Sequence, residues 1–104
     1  MKKYTETHEW IEMNGDIATI GVSDYAIQEI GEVVHVELPQ VGKELKAGDV
    51  ACVLESTKAA IDIVSPLSGH IVAINTALQS QIDKINSSPE QEGWLFQLHT
   101  RNTR

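Results

Sequence analysis

The sequence predicts a single, mainly β domain of the sandwich or barrel type. The chain has 104 residues, the usual length of one domain, and 41% of them are apolar, which suits a modest buried core. Short apolar segments recur along the chain, separated by glycine, proline and asparagine turn signals. Many short strands interrupted by turns are typical of β-sandwiches and barrels.

The first third of the chain predicts a hairpin followed by a short helix. Its elements are a strand at 8–13, a tight turn at Asn14-Gly15, a returning strand at 16–22 and a helix at 23–30. Asparagine and glycine both tolerate positive φ, so this pair favours a two-residue hairpin turn. Ser23 is a good helix N-cap and Gly31 a suitable C-cap, which sets the limits of the helix.

The rest of the chain predicts further short strands. They are expected at 32–38, 50–55, 60–64, 70–74 and 94–99, with turns around a short segment at 44–45, a helical turn at 76–81 and a loop at 87–93. Pro39 closes the first of these strands, because proline cannot donate to a sheet. Residues 82–85 fit neither a helix nor a strand clearly.

Charge and hydropathy exclude two classes of partner. The net charge is -7, and the largest basic features are Lys2-Lys3 and the tail with Arg101 and Arg104. Nucleic-acid binding needs clustered cations, so we expect none, and an acidic body favours partners with basic docking faces. No apolar run approaches a membrane span, and no secretory signal is visible, so we expect no membrane association.

The sequence offers little for catalysis. The four histidines, which lack metal-ligand spacing, are His8, His35, His70 and His99. Cys52 lies among apolar neighbours, as expected for a buried thiol in a reducing compartment. There is no nucleophile elbow and no phosphate-binding glycine loop. We therefore expect no metal site and no self-sufficient active site.

Lys58 is the most informative residue. It lies between two predicted strands, near the tip of a hairpin with the sequence Glu55-Ser56-Thr57-Lys58-Ala59-Ala60. A solvated turn lysine is the simplest interpretation. However, the tip has no Asn-Gly or Pro, and the small alanines leave room for another protein to reach the amine. A modifying enzyme can recognise the local shape around such a lysine.

Motifs along the whole chain resemble one family, the H protein of the glycine cleavage system, which carries lipoate. The resemblance covers about residues 3–98 in collinear order. The matching stretches are Thr7-His8-Glu9-Trp10, Ala18-Thr19-Ile20-Gly21-Val22, Gly31-Glu32-Val33-Val34, Val36-Glu37-Leu38-Pro39, Glu55-Ser56-Thr57-Lys58-Ala59-Ala60, Asp62-Ile63, Ser65-Pro66-Leu67-Ser68-Gly69 and Glu92-Gly93-Trp94-Leu95-Phe96.

The resemblance implies a fold and a cofactor. The fold is a lipoyl-domain-like barrel-sandwich hybrid of two antiparallel sheets, formed as one carrier domain over 1–104. The cofactor is lipoate, joined to Lys58 by an amide bond. Biotin carriers share this fold, but their lysine is usually bracketed by methionines, whereas Thr57 and Ala59 flank Lys58 here.

By the same resemblance, the protein is a carrier and not an enzyme. Its implied partners are the glycine-decarboxylating P protein, the aminomethyl-transferring T protein, the dihydrolipoyl dehydrogenase L protein and the lipoylating enzymes. A tethered disulfide would serve each enzyme at high effective concentration. The implied location is the bacterial cytoplasm, or the mitochondrial matrix if a transit peptide has been removed.

The resemblance also implies roles for residues around Lys58. Thr7, Glu9 and Asp62 fall where the loaded arm packs against the body, and the Glu9 carboxylate would hold a cationic aminomethyl group. A surface glutamate beside a packed tryptophan is the simpler interpretation of Glu9. The residues implied in recognition by the lipoylating enzymes are Glu55, Ser56 and Ala59.

Three departures from the family pattern keep other functions open. Glu29 stands where some members have histidine, Ile61 where a small polar residue is common, and the usual acidic C-terminal helix is absent. One alternative is a relay that supplies lipoyl groups to other enzymes. The others are a biotinyl-type carrier and an unmodified binding module.

Overall fold

The computed structural model describes residues 2–100, which form two antiparallel β-sheets. Their strands are β1 (Lys2–Tyr4), β2 (Glu9–Asn14), β3 (Ile17–Val22), β4 (Val33–Glu37), β5 (Glu44–Leu45), β6 (Val50–Ser56), β7 (Ala60–Val64), β8 (Gly69–Ile74) and β9 (Phe96–Thr100). The larger sheet has the order β1-β2-β3-β9-β8-β5 and the smaller β4-β6-β7. The expected mainly β fold with two antiparallel sheets is confirmed.

Helices are few in the described part of the chain. They are α1 (Asp24–Ile30), a 3-10 helix (Thr76–Gln79) and α2 (Asp83–Ser87). The Ser23 hydroxyl accepts a hydrogen bond from the Ala26 amide at 3.1 Å, as expected for an N-cap. Gly31 ends α1 with φ 85°, a conformation that glycine adopts without steric cost. The predicted limits of α1 are therefore confirmed.

The first hairpin turn lies one residue later than the sequence predicted. Asn14 pairs with Ile17, so Gly15 and Asp16 occupy the two central positions. Only Gly15, with φ 63°, has positive φ there. A glycine in the first central position is sufficient for a tight hairpin turn, and Asn14 remains in β2.

Three further elements differ from the prediction. The predicted pattern missed β1, a short edge strand whose Lys3 pairs with Ile11. Residues 82–85, which the sequence left unassigned, contribute to α2. The last strand begins at Phe96 and not at Trp94, although the Leu95 amide still donates to the Ile20 carbonyl of β3 at 2.9 Å.

The core lies between the two sheets and fixes the elements that surround Lys58. The largest fully buried side chains include Trp10, Phe96, Ile20 and Leu54. The Trp10 indole donates a hydrogen bond to the Pro89 carbonyl at 3.0 Å and packs against Gly21, where a β-carbon would lie 2.7 Å from Nε1. The position of β2, and of the loop before it, is thereby set by close packing.

Two further expectations from the sequence concern membrane association and the basic C-terminal tail. Among residues 2–100, no helix is long and apolar enough to cross a membrane. The basic tail with Arg101 and Arg104 lies outside the described residues.

Candidate functional site

Lys58 lies at the exposed tip of the β6–β7 hairpin, where the sequence predicted it. Glu55 and Ala60 are the last paired residues of the two strands. Beyond them, the Ser56 amide donates to the Ala59 carbonyl at 2.8 Å, which leaves Thr57 and Lys58 at the apex. Among residues 2–100, nothing forms a hydrogen bond or ion pair with the Lys58 Nζ. The amine is therefore free to be modified.

Ser56 organises the apex. Its hydroxyl oxygen accepts hydrogen bonds from the amides of Lys58 and Ala59, both at 3.1 Å, and the hydroxyl donates to the Ala59 carbonyl at 3.1 Å. A serine side chain that bonds the backbone two and three residues ahead replaces the missing turn residues. Glu55, Ser56 and Ala59 thus flank Lys58 on a defined backbone.

The tip is also anchored to the body of the protein. The Thr57 amide donates to the Glu32 carbonyl at 3.0 Å. A β-carbon on the neighbouring Gly31 would lie 3.5 Å from Lys58 Cε, so the lysine side chain passes over the end of α1. The attachment point consequently has a fixed position relative to α1, although the lysine itself is exposed.

A cleft of about 430 Å³ lies between α1, β7 and the loop before β2. We call it the Glu9 cleft. Its lining residues are Glu6, Thr7, His8, Glu9, Val22, Ala26, Glu29, Ile30, Ile61, Asp62, Ile63 and Val64. Thr7, Glu9 and Asp62, which the sequence singled out, therefore line one cavity. Glu29 and Ile61, two of the three departures from the family pattern, line it as well.

Glu9 is the buried charged group of this cleft. Its side chain is only 2% exposed. Thr5 and Thr7 donate their hydroxyls to Glu9 Oε1 at 2.5 and 2.6 Å. Among the described residues nothing hydrogen-bonds Oε2, and since no fully buried polar atom lacks a partner, Oε2 remains accessible to solvent. Glu9 lines the cleft, and a carboxylate oxygen without a protein partner in such a place can bind a cation strongly.

An irregular loop places these threonines. The Thr5 amide donates to the Glu9 carbonyl at 2.9 Å, and the His8 amide donates to the Thr5 carbonyl at 3.1 Å. His8 adopts φ 71°, a left-handed conformation that is uncommon outside glycine. Sequence reasoning missed Thr5. The alternation Thr5-Glu6-Thr7-His8-Glu9, with three polar side chains two residues apart, is the signal that points to it.

Glu90 joins β1 to the start of α1 and was also missed. Its carboxylate accepts hydrogen bonds from the Tyr4 hydroxyl at 2.6 Å and from the Asp24 amide at 2.9 Å. Lys2 Nζ donates to the Glu90 carbonyl and lies 4.8 Å from the Trp10 ring. The bond to Glu90 raises the pKa of Tyr4. This network joins β1 to the first turn of α1.

The electrostatics of the cleft favour a cation. Glu6, Glu29 and Asp62 add exposed carboxylates around buried Glu9, and no lysine or arginine is among the lining residues. Apart from Thr7 and His8, the remaining lining residues are apolar, so charge interactions inside are screened less than at an open surface. The arrangement can hold a small cationic group.

The other candidate groups lie elsewhere. Cys52 is buried in the core, and this burial raises the pKa of its thiol to about 12. His70 and His99 stack with their ring centroids 5.3 Å apart. No group of three potential metal ligands occurs within residues 2–100.

Comparison with known proteins gives one consistent family. A sequence model described as "Glycine cleavage H-protein" matches residues 2–104. The glycine cleavage system H protein of Thermotoga maritima is 49% identical over 98 residues, which cover 94% of this chain and 79% of that protein. A probable glycine cleavage system H protein 1 of Sulfolobus acidocaldarius is 48% identical over 103 residues, covering 99% and 75%.

A solved structure supports the same relationship. The crystal structure of a glycine cleavage system H protein from Mycobacterium marinum superposes with a TM-score of 0.91 at 34% identity. The match covers 99% of this chain and 86% of that chain.

Proposed function

Because the chain belongs to the glycine cleavage H-protein family, we propose that Lys58 carries lipoate in amide linkage. The protein is a carrier subunit of glycine cleavage and not itself a catalyst. When bound, lipoate supplies a disulfide that accepts the aminomethyl group of glycine together with two electrons. Everything else that the carrier does must come from its own residues.

The proposal depends mainly on one observation, the exposed and unpaired amine of Lys58. The amine stands at the tip of a hairpin, exposed, and without a partner in residues 2–100. Ser56 holds the backbone of the apex, and the bond from Thr57 to Glu32 fixes the apex on the body. A lipoylating enzyme therefore meets an ordered loop of defined shape, in which Glu55, Ser56 and Ala59 are the residues that we propose it recognises.

The Glu9 cleft is the proposed resting place of the loaded arm. The amine of the aminomethyl group is cationic at neutral pH, and Glu9 Oε2 offers it an acceptor inside the cavity. Thr7 orients the Glu9 carboxylate through its bond to Oε1. Asp62, exposed on the rim of the cleft, adds a second negative charge. These three residues would bind and shield the cargo between enzymes.

The same carrier role defines the proposed partners. We propose the P protein as the enzyme that loads the arm, the T protein as the one that unloads it and the L protein as the one that reoxidises it. Each must accept the hairpin tip, which projects from an acidic body with a net charge of -7. Basic rims around their active sites would complement this charge. We propose the cytoplasm as the site of this exchange.

Intact mass and peptide mapping of the protein isolated from its own host test the proposal. We expect a lipoyl adduct on Lys58 and glycine–bicarbonate exchange with a decarboxylating P protein. The Lys58→Arg variant keeps the charge but cannot form the amide, so it should lose both the adduct and the exchange. An adduct without exchange would support a lipoyl relay, and full biological activity of Lys58→Arg would support an unmodified binding module.

A further inference from the structure

Two histidines lie side by side on the solvent face of the larger sheet. His70 of β8 and His99 of β9 stand directly opposite each other in the antiparallel register. Along their strands they alternate with Ile71 and Leu98, which are fully buried, so both imidazoles lie on the outer face of the sheet. His99 is exposed and His70 is half-buried, so a dissolved ion can reach both rings.

The separation of the two rings suits a shared metal ion. The centroids of the His70 and His99 rings are 5.3 Å apart, and the ring planes are inclined by 27°. Two imidazole nitrogens at about 2.1 Å from one tetrahedral ion place the ring centroids about 5 Å apart. Each ring can turn about its terminal side-chain bond, whose energy wells are broad, and so direct one nitrogen toward the ion. The paired strands therefore hold both ligands close together before an ion binds.

The charge around the histidine pair favours a cation. Glu44 of β5 stands opposite His70 on its other side, so Glu44, His70 and His99 form one row across the sheet. Directly opposite residues share a face, which places the Glu44 carboxylate on the side of the histidines. Within residues 2–100 no group of three potential ligands forms, so water molecules would complete the coordination of an ion held by the two imidazoles.

The histidine pair lies at the opposite end of β2 from the Glu9 cleft. His99 pairs with Ile17, and Ile17 pairs with Asn14, the last residue of β2. Glu9 is the first residue of the same strand, so the two places are separated by about 17 Å along β2. The histidine pair is therefore distinct from the site described above.

We propose that His70 and His99 form a two-ligand site for a divalent transition metal ion. Imidazole suits zinc, copper and nickel, whereas magnesium and calcium prefer oxygen ligands, and Cu²⁺ should bind more tightly than Zn²⁺. The sequence did not indicate this site, because the two histidines are distant along the chain and only the pairing of β8 with β9 brings them together. The inference goes beyond the carrier function and does not depend on modification of Lys58.

Calorimetric titration of the untagged, full-length chain with Zn²⁺, Cu²⁺ and Mg²⁺ tests the proposal. Lys58 must carry no lipoate in this experiment, because the thiols of a reduced arm would bind the same ions. We expect tighter binding of Cu²⁺ than of Zn²⁺, and no binding of Mg²⁺ at the histidine pair. His99→Gln should weaken binding by at least about tenfold, because a second imidazole no longer acts on the bound ion at high effective concentration. His70→Gln should have the same effect.

His35→Gln is the matched control. His35 is exposed on β4 of the smaller sheet and pairs with Glu55, not with another histidine, so its variant should bind the ions as the wild type does.

Amide NMR spectra with Zn²⁺ give an independent measurement. The resonances of His70 and His99 should shift, while those of Thr7 and Glu9 should not. No binding by the wild type, equal binding by His99→Gln, or shifts confined to other residues would overturn the inference and leave the proposed carrier function unaffected.

Discussion

Thr7 Oγ1 lies 2.6 Å from Glu9 Oε1 and so holds a buried carboxylate by one oxygen, while the other oxygen has no hydrogen-bond partner among the described residues. Thr5 repeats the same bond at 2.5 Å. The hydroxyls of Thr5 and Thr7 are neutral, so they satisfy the hydrogen-bonding capacity of Glu9 Oε1 without neutralising the negative charge of the carboxylate. Glu9 Oε2 is therefore available to a cation. Removing the charge of Glu9 should mainly weaken the binding of a cationic ligand.

Glu9→Gln should speed the loss of the aminomethyl group from the loaded protein. The amide oxygen still accepts from Thr5 and Thr7, so the fold is retained, but the charge is gone. A hydrogen bond to a charged group contributes about 1.5–3 kcal/mol, which corresponds to roughly a tenfold to hundredfold faster release. Mass spectrometry of the loaded protein over time measures the rate.

Glu12→Gln is the control for this prediction. Glu12 is exposed on the same strand and does not line the cleft, so its variant should release the group at the normal rate. An unchanged rate in Glu9→Gln, or in the more disruptive Glu9→Ala, would remove Glu9 from the site.

Glu29→Gln should have a weaker effect of the same sign. Glu29 lines the cleft but is exposed, so solvent and salt screen its charge. Exposed charge pairs contribute about 0.2–1 kcal/mol, and release should be at most about fivefold faster. The effect should disappear at about 1 M salt, where the screening length is about 3 Å. An acceleration that persists at high salt would show that Glu29 acts through direct contact or through structure.

Ser56→Ala should slow lipoylation. The substitution leaves the amides of Lys58 and Ala59 without their hydroxyl acceptor and loosens the apex. Both amides are exposed and can form hydrogen bonds with water instead. The free energy of unfolding should therefore fall by only about 1 kcal/mol. Time courses of the mass change with a lipoylating enzyme measure the rate. Thr57→Ala, which changes the adjacent exposed side chain and keeps the Ser56 bonds, should be modified at nearly the normal rate.

Cys52 should make the protein less stable at high pH. Burial raises the pKa of its thiol from 9.0 to about 12, so above pH 9 the unfolded chain loses this proton while the folded chain keeps it. Stability is therefore unaffected below pH 9 and falls between pH 9 and 12, by at most about 1.4 kcal/mol per pH unit.

Urea unfolding at pH 8 and pH 10 measures this effect. The wild-type protein should lose about 1.4 kcal/mol more than Cys52→Ala between the two values. Tyr4, whose pKa is raised by its bond to Glu90, is present in both proteins and cancels in the comparison. Equal losses in the two proteins would mean that the Cys52 thiol ionises as readily in the folded state as in the unfolded chain.

The elements that the sequence predicted correctly are determined by residues that lie close together in the chain. Ser23 and Gly31 limit α1 through bonds to residues no more than four positions away, and such signals are readable in any sequence. The hairpin with Lys58 at its tip was predictable for the same reason, since two apolar strands flank a short polar segment. The family motifs then directed attention to Thr7, Glu9 and Asp62, which the fold brings to one cleft.

Features that depend on distant partners were not predictable. Lys2–Tyr4 becomes a strand only because β2 offers it a partner, and its polar sequence gives no sign of this. Thr5 reaches Glu9 because His8 adopts positive φ, which propensity does not favour for histidine. Glu90 meets Tyr4 across 86 residues.

The burial of Cys52 has a consequence for a protein that is proposed to carry a dithiol. The chain contains one cysteine, and its sulfur lies in the core with a pKa of about 12. Only thiolates attack disulfides at an appreciable rate, so this sulfur cannot capture the arm in an intramolecular mixed disulfide. If the proposed dithiol is present, thiol–disulfide exchange must therefore take place with other proteins and not with the carrier's own cysteine.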